Sequence, residues 1–114
     1  MDDCIFCKII AGEIPGKFAY RDDLVTAFHD INPAAPIHIL VIPNKHIAST
    51  NDITQQDEAL LGHLMLTVKN IAADQGIAKK GYRLIINTGP DAHQVVDHLH
   101  VHILGGQFMR HPMG

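Results

Sequence analysis

Residues 98–104 constrain the fold of this chain more than any other segment of its sequence. Histidine alternates there with apolar residues, in the order His98-Leu99-His100-Val101-His102-Ile103-Leu104. Because successive side chains of a β-strand point to opposite faces of a sheet, this alternation predicts a strand. We expect the histidines on one face, about 6–7 Å apart along the strand, and the apolar side chains on the other, packed against a helix.

Histidine is also unusually frequent, with nine residues against nine lysines and arginines together. Its unperturbed pKa of about 6.5 suits acid–base and nucleophilic chemistry, and it is the commonest metal ligand. Three titratable rings on a half-buried face are unfavourable unless they have partners. The segment therefore indicates a functional site. Metal binding is the main rival to catalysis, although no acidic residue follows on this strand and Asp97 is expected on its opposite face.

The remaining sequence predicts a single α+β domain over residues 1–114. Runs of β-branched and aromatic residues between turn residues predict strands at 19–20, 25–29, 37–42, 82–88 and 98–104. A long helix is predicted over 55–74 and a short N-terminal one over 5–10. Thr54 would cap the long helix with Asp57, and Gly76 would end it. Its apolar face would comprise Leu60, Leu61, Leu64, Met65, Val68, Ile71 and Ala72.

Charge and hydropathy exclude several classes of function. The net charge of −3 and the pI of about 6.3 do not favour nucleic acid as a partner. The longest apolar-rich stretch, residues 37–43, contains His38 and is far shorter than the roughly 20 residues that span a membrane. The acidic start, Met1-Asp2-Asp3, does not fit a secretory signal, so we expect a cytoplasmic protein with no membrane partner.

The alternating segment resembles the signature of the histidine triad (HIT) superfamily, in which three histidines alternate with apolar residues. The likeness continues through residues 28–33 (FHDINP), 35–43 (APIHILVIP), 61–65 (LGHLM), 81–83 (GYR) and 105–106 (GG). These motifs and their order are similar to those of the histidine triad nucleotide-binding (Hint) branch over essentially the full chain.

The resemblance implies a HIT-like α+β fold: a five-stranded antiparallel sheet, one long helix and a short N-terminal helix, assembled as a homodimer. It implies hydrolysis of purine nucleoside 5′-phosphoramidates, or of acyl-adenylates, to a nucleoside monophosphate such as AMP or GMP. Two other functions stay open. One is purine-nucleotide binding or scaffolding without significant catalysis, and the other is dinucleoside polyphosphate hydrolysis, which the Hint-like chain end disfavours.

The family's nucleophile is the middle histidine of the motif, which is His100 here. By resemblance it would attack the α-phosphorus and form a nucleotidyl-histidine that water then hydrolyses, so that one difficult substitution becomes two easier ones. The resemblance also implies that His102 contacts the phosphate and that His38, on the neighbouring strand, holds the tautomers of the site histidines. His98 would orient the set or serve a metal.

The same resemblance assigns residues to the nucleoside and the phosphate. Asp30 would accept hydrogen bonds from the ribose 2′- and 3′-hydroxyls, a task suited to a carboxylate. Asn87 would contact the phosphate, together with backbone N–H groups near His93 and His100. Plain core packing is the alternative for each residue of the expected base slot, which comprises Ile5, Phe6, Ile9, Phe28, Ile31 and Leu40.

Four positions next to the triad depart from the family pattern. Many relatives have a serine after the glutamine that assists protonation of the leaving group, whereas Val95 follows Gln94 here. We therefore expect an altered rate or leaving-group preference. Ala92-His93 replaces the usual Gly-Gly pair, and Asp97 stands where an aromatic residue is common.

Cys4 and Cys7 form a C-x-x-C pair, which is too few cysteines for a disulfide framework. A redox pair is disfavoured because no strand precedes the motif, and a zinc half-site is the better functional interpretation. Some bacterial relatives with this pair bind zinc through two further histidines, whose positions are His46 and His98 here. The resemblance thus implies a structural zinc site at Cys4, Cys7, His46 and His98. Two free, packed thiols are the alternative.

Overall fold

A single antiparallel sheet organises the chain and confirms the predicted α+β architecture. The computed structural model describes residues 3–113. Its strands are β1 (Phe18–Arg21), β2 (Val25–His29), β3 (Ile37–Pro43), β4 (Tyr82–Ile85) and β5 (Val101–Gly105). They form one five-stranded sheet in the order β1-β2-β3-β5-β4. Strand β5, which carries the end of the histidine motif, therefore lies in the interior of the sheet.

Both predicted helices are present. The short helix α1 covers Ile5–Ile10, as predicted, and the long helix α2 covers Glu58–Asp74. The predicted start of α2 at Gln55 was early, because Gln55–Asp57 forms a separate 3₁₀ turn that leads into the helix. The Asp57 carboxylate accepts a hydrogen bond of 2.9 Å from the Thr54 N–H, as the predicted capping box requires. Within residues 3–113, no helix is long and apolar enough to cross a membrane.

The two faces of the sheet carry separate apolar cores. Helix α2 packs on one face, where Leu64, Val68 and Ile71 meet alternate residues of β2, β3 and β5. Helix α1 packs on the other face and forms a smaller cluster that contains Cys4, Phe6, Ile9, Phe28, Leu40 and Ile42. Val101 and Ile103 belong to the α2 side, as the alternation predicted. The histidine side chains of the motif therefore lie on the α1 side of the sheet.

The final strand begins later than predicted, so His98 and His100 precede it rather than lie within it. In the register that pairs Val41 with Val101, the residue opposite position 99 is Pro43. Proline has no N–H to donate, so the ladder cannot continue there. The Leu99 N–H donates instead to the Ile47 carbonyl, at 2.6 Å. Strand β4 ends at Ile85, short of the predicted residue 88, because beyond the Ile85–His102 pair only Val101, the first residue of β5, is left as a partner.

The buried stripe of α2 is narrower than predicted. Met65 is 48% exposed, whereas Leu64 beside it is 2% exposed. The stripe is completed by Thr67, which is buried because its hydroxyl donates to the His63 carbonyl at 2.8 Å. A threonine that satisfies its own hydroxyl within the helix can replace an apolar residue at a core position.

One carboxylate joins the β1–β2 turn to α2. Asp22 accepts hydrogen bonds from the backbone N–H groups of Leu24 and Val25, both at 2.8 Å. It also accepts from the Tyr20 hydroxyl at 2.7 Å and contacts His63 Nε2 at 2.6 Å. Burial works to raise the pKa of Asp22, but these hydrogen bonds outweigh it and lower the pKa below its usual value. The ionised carboxylate therefore holds the hairpin against the helix.

We predict that Asp22→Ala lowers the free energy of unfolding by about 1–3 kcal/mol, because it leaves two turn N–H groups and His63 without their acceptor. Asp23→Ala is the matched control, since Asp23 is the exposed neighbour in the same turn. Urea unfolding of the two variants measures the difference. Equal stability of the two variants would contradict this account of the hairpin.

Candidate active site

The histidine motif opens onto a cavity on the α1 face of the sheet. The cavity has a volume of about 550 Å³, within the range of small-molecule sites. His100 and His102 lie in its lining together with Asp30, which follows β2. The rest of its wall is largely apolar and includes all six predicted base-slot residues: Ile5, Phe6, Ile9, Phe28, Ile31 and Leu40. Phe6, Ile9, Phe28 and Leu40 are at once core residues and cavity residues, so core packing and slot formation are not exclusive.

A backbone carbonyl sets the tautomer of His100. The His100 Nδ1 lies 2.7 Å from the carbonyl oxygen of His98. A carbonyl only accepts hydrogen bonds, so Nδ1 carries the proton and donates it. In the neutral ring, the other nitrogen, Nε2, then has a free lone pair. His100 is 4% exposed and lines the cavity, which is the arrangement that a histidine nucleophile requires.

A relay through His38 sets the tautomer of His102. The Ala34 N–H donates to His38 Nδ1 at 2.9 Å, so the proton of a neutral His38 lies on Nε2. His38 Nε2 lies 2.9 Å from His102 Nδ1, which therefore accepts and leaves the His102 proton on Nε2. His102 Nε2 is buried and has no hydrogen-bond partner within residues 3–113. It is therefore an unused donor next to His100, and the centroids of the two rings are 5.0 Å apart.

Burial keeps these rings neutral. Burial, reinforced by neighbouring His100 and His38, lowers the pKa of His102 to about 4. Burial also lowers the pKa of His38, although Asp30, with a carboxylate oxygen 3.5 Å from His38 Nε2, opposes the shift. At neutral pH the relay is thus uncharged, which its pattern of alternating donors and acceptors requires.

The four predicted zinc ligands lie together behind this site. His98 Nδ1 is 3.4 Å from Cys4 Sγ and 3.6 Å from Cys7 Sγ, and His46 Nδ1 is 3.3 Å from Cys7 Sγ. The ligand atoms all lie within 4.8 Å of one another. A tetrahedral zinc ion with ordinary Zn–S and Zn–N bonds separates its sulfur and nitrogen ligands by about 3.5 Å. The donor set and its spacing fit this ion.

The proton positions favour this cluster over a second group of candidate ligands. His98 Nε2 donates to the Pro43 carbonyl at 2.8 Å, which leaves Nδ1 unprotonated and facing the two sulfurs. The second group is Asp30, His38 and His102. There the Ala34 N–H keeps the proton of His38 on Nε2, the atom that would have to bind the metal. The cysteine-containing cluster is therefore the better metal site.

The second cysteine of the pair holds its thiol proton strongly in the metal-free form. Burial, together with the neighbouring Cys4 thiol, raises the pKa of Cys7 to about 11. Cys4 caps α1, its sulfur accepting the Cys7 N–H at 3.4 Å, so the pair is built into the first turn of the helix.

Two residues expected near the phosphate, Asn87 and His93, are not among the residues that line the cavity. Asn87 is half-buried. It follows β4 two residues after Ile85, the partner of His102, and so continues towards His100. The N–H of His93 donates to the Pro90 carbonyl at 3.1 Å and is used within its own turn. His93 has a φ of 61°, in the left-handed region, where the usual glycine would be unstrained.

Sequence reasoning missed the residue that holds the loop before the motif. The Gln94 amide oxygen accepts from the Gly89 N–H at 3.0 Å. Its amide nitrogen donates to the carbonyls of Ala48 and Val96, at 2.8 and 3.0 Å. Val95 and Val96 thereby reach the cavity wall, where Val95 remains 85% exposed. The sequence indicated Gln94 only as the residue before Val95, because no local pattern signals its bond to Ala48, 46 residues earlier.

The fold and the histidine cluster define a protein of the histidine triad class. The family model for the HIT domain matches residues 11–109, and the chain belongs to this family. It is 50% identical over 106 residues to a purine nucleoside phosphoramidase of Escherichia coli, covering 93% of this chain and 89% of that protein. It is 54% identical over 113 residues to a HIT-like protein of Synechococcus elongatus, covering 99% and 98%.

Solved structures agree with this assignment. The structure of a HIT family hydrolase from Legionella pneumophila superposes with a TM-score of 0.95 at 44% sequence identity. The match covers 98% of this chain and 100% of that one. The predicted membership of the HIT superfamily is thus confirmed.

We predict that stability falls as the pH is lowered from about 7 to about 5. In this range the unfolded chain protonates His102, with a pKa of about 6.5, whereas the folded chain does not do so until about pH 4. Because the unfolded state then binds more protons, acid favours unfolding. Urea unfolding at both pH values measures the loss, which should be smaller in His102→Gln. A loss in His102→Gln as large as in the wild type would contradict the assignment to His102.

Proposed function

We propose that this protein is a hydrolase of purine nucleoside 5′-phosphoramidates and related acyl-adenylates, with a nucleoside monophosphate such as AMP or GMP as product. The proposal rests on two neighbouring histidine rings whose Nε2 atoms differ in protonation. His100 offers an Nε2 lone pair, and His102 offers an unpartnered Nε2–H, at one cavity. A nucleophile and a donor for the developing phosphoryl charge are the two groups that phosphoryl transfer needs.

The reaction proceeds in two steps. His100 Nε2 attacks the α-phosphorus, the P–N bond to the amine breaks, and the amine leaves with a proton taken from solvent. A water molecule then attacks the phosphorus of the nucleotidyl-histidine and releases a proton to solvent, the P–N bond to His100 breaks, and the nucleoside monophosphate leaves. The His98 carbonyl holds the Nδ1 proton throughout and stabilises the charge that His100 acquires. His102 donates to a non-bridging phosphate oxygen in both transition states.

The substrate is oriented by the opposite ends of the cavity. The purine lies against Phe6, Phe28 and their apolar neighbours, and Asp30 accepts from the ribose hydroxyls. Val95 lines the cavity but has no hydroxyl, so the leaving amine takes its proton from solvent, and weakly basic leaving groups are favoured. The named activity of the Escherichia coli relative supports purine phosphoramidates over dinucleoside polyphosphates.

We predict that His100→Ala lowers kcat/KM for a fluorogenic adenosine 5′-phosphoramidate by about 10⁴-fold or more, because it removes the nucleophile. His63→Gln is the control, since His63 lies on α2 and lines a groove away from the cavity. Its activity should equal that of the wild type.

The same assay separates the rival functions. Diadenosine polyphosphates, tested in parallel, should be hydrolysed far more slowly than the phosphoramidate. AMP binding without turnover of either substrate would favour a non-catalytic nucleotide-binding protein. Faster hydrolysis of the diadenosine substrates would favour the neighbouring branch of the family.

We also propose that Cys4, Cys7, His46 and His98 hold a structural zinc ion. The ligand spacing and the unprotonated His98 Nδ1 support it. Bound there, zinc would cross-link distant segments, and four protein ligands would leave no open position for substrate. The ion therefore takes no part in the reaction.

We predict about one zinc ion per chain in protein purified under reducing conditions without chelator. Cys7→Ser should lower both the zinc content and Tm, because it removes a ligand that the other three cannot replace. His111→Gln, in the exposed tail, is the control. Elemental analysis of the wild type with no stoichiometric zinc would refute the site.

We further propose that the chain forms a homodimer through the free edge of β4. This strand ends the sheet, and it leaves Leu84 37% and the following Ile86 48% exposed. An unpaired strand edge with apolar side chains is a template for pairing with another chain.

Light scattering should therefore find a dimer in the wild type and a monomer in Leu84→Lys, because a charge at the edge opposes pairing. Leu24→Lys is a matched control, since Leu24 is 48% exposed at the β1–β2 turn. A monomeric wild type, or dissociation by both substitutions alike, would contradict an interface at β4.

A further inference from the structure

Helix α1 depends on its surroundings for its structure. It has six residues, well below the roughly 12–15 at which an isolated helix becomes marginally stable. Its apolar contacts belong to the small cluster that contains Phe6, Ile9, Phe28 and Leu40, which is separate from the main core. Yet Ile5, Phe6 and Ile9 of this helix form one wall of the cavity. This wall of the cavity therefore belongs to a short helix whose position depends on contacts with the rest of the protein.

The candidate metal cluster lies at the first turn of this helix. Cys4 is its N-cap and Cys7 lies in its first turn. The two other ligands stand on segments that are fixed to the sheet and to the start of α2. His98 donates to the Pro43 carbonyl at 2.8 Å. His46 follows Lys45, whose ammonium group bonds the Asp57 carboxylate at 2.6 Å. A metal held by all four residues would therefore join α1 to the body of the protein.

The cluster is in direct contact with the catalytic end of the cavity. The Phe6 ring stands edge-on to His98, with centroids 5.9 Å apart, and edge-on to His100 at 5.2 Å. The His98 carbonyl accepts the Nδ1 proton of His100 at 2.7 Å. A shift of α1 would move Phe6 away from both rings, and so would change the slot that receives the base.

We infer that Cys4, Cys7 and His46 are positioning residues for nucleotide binding, because the metal they hold docks α1 as the wall of the base slot. The inference rests on the proposed nucleotide site and zinc site and adds a free-energy coupling between them. Such coupling is reciprocal: metal tightens nucleotide binding, and nucleotide tightens metal binding by the same factor. A merely structural zinc site would stabilise the fold without responding to the nucleotide.

The test measures the zinc affinity of the intact, zinc-loaded protein by equilibrium competition with a chromogenic chelator. Saturating AMP should raise the zinc affinity about tenfold, within the usual range of allosteric coupling. Inorganic phosphate is the control ligand, because it can occupy the histidine end but does not reach the wall formed by α1. It should leave the zinc affinity unchanged. Ile9→Ala, which trims the wall and retains all four metal ligands, should reduce the effect of AMP.

The reciprocal measurement is the Kd of AMP for zinc-loaded and zinc-stripped protein, with circular dichroism as a check that the stripped protein is folded. The stripped protein should bind AMP about tenfold more weakly. Equal zinc affinity with and without AMP would overturn the inference, as would an equal increase with phosphate, which would locate the coupling at His100 rather than at α1. Absence of zinc or absence of AMP binding would instead refute the proposed sites themselves.

Discussion

The site depends on His98, a fully buried residue that makes three connections at once. Its ring Nε2 donates to the Pro43 carbonyl, and its Nδ1 faces the two cysteine sulfurs. Its own carbonyl accepts the proton of His100 Nδ1. Because Pro43 lacks an N–H, the strand ladder stops here and these groups are free to turn towards the site. One irregular segment thereby joins the sheet, the metal cluster and the nucleophile.

Hydrogen bonds hold the histidine rings of the site in fixed tautomers. Backbone groups set the ends of the arrangement: the Ala34 N–H fixes His38, and the His98 carbonyl fixes His100. Burial lowers the pKa of His38 and of His102, so protons do not disturb the order at neutral pH. The cost is a group of polar rings in a small apolar domain, among which the Nε2–H of His102 has no hydrogen-bond partner. Such costs are typical of preorganised active sites.

Local pattern in the sequence accounts for much of this architecture. The period of two around Val101 and Ile103 predicted which side of the sheet meets α2, and the bounds of α1 were correct. The family resemblance predicted residues that the fold does bring to one cavity. What could not be predicted depends on contacts between distant segments. Examples are the early end of the ladder at Pro43, the bonds of Gln94 and the contact of His63 with Asp22.

The central claim is that His100 attacks phosphorus to form a covalent intermediate. The most direct test is the stereochemical course at phosphorus, followed with a chiral adenosine phosphorothioamidate that is hydrolysed in isotopically labelled water. Each in-line displacement inverts the configuration, so attack by His100 followed by attack by water predicts net retention in the product. Net inversion would mean that water attacks the substrate directly, and it would contradict the role assigned to His100.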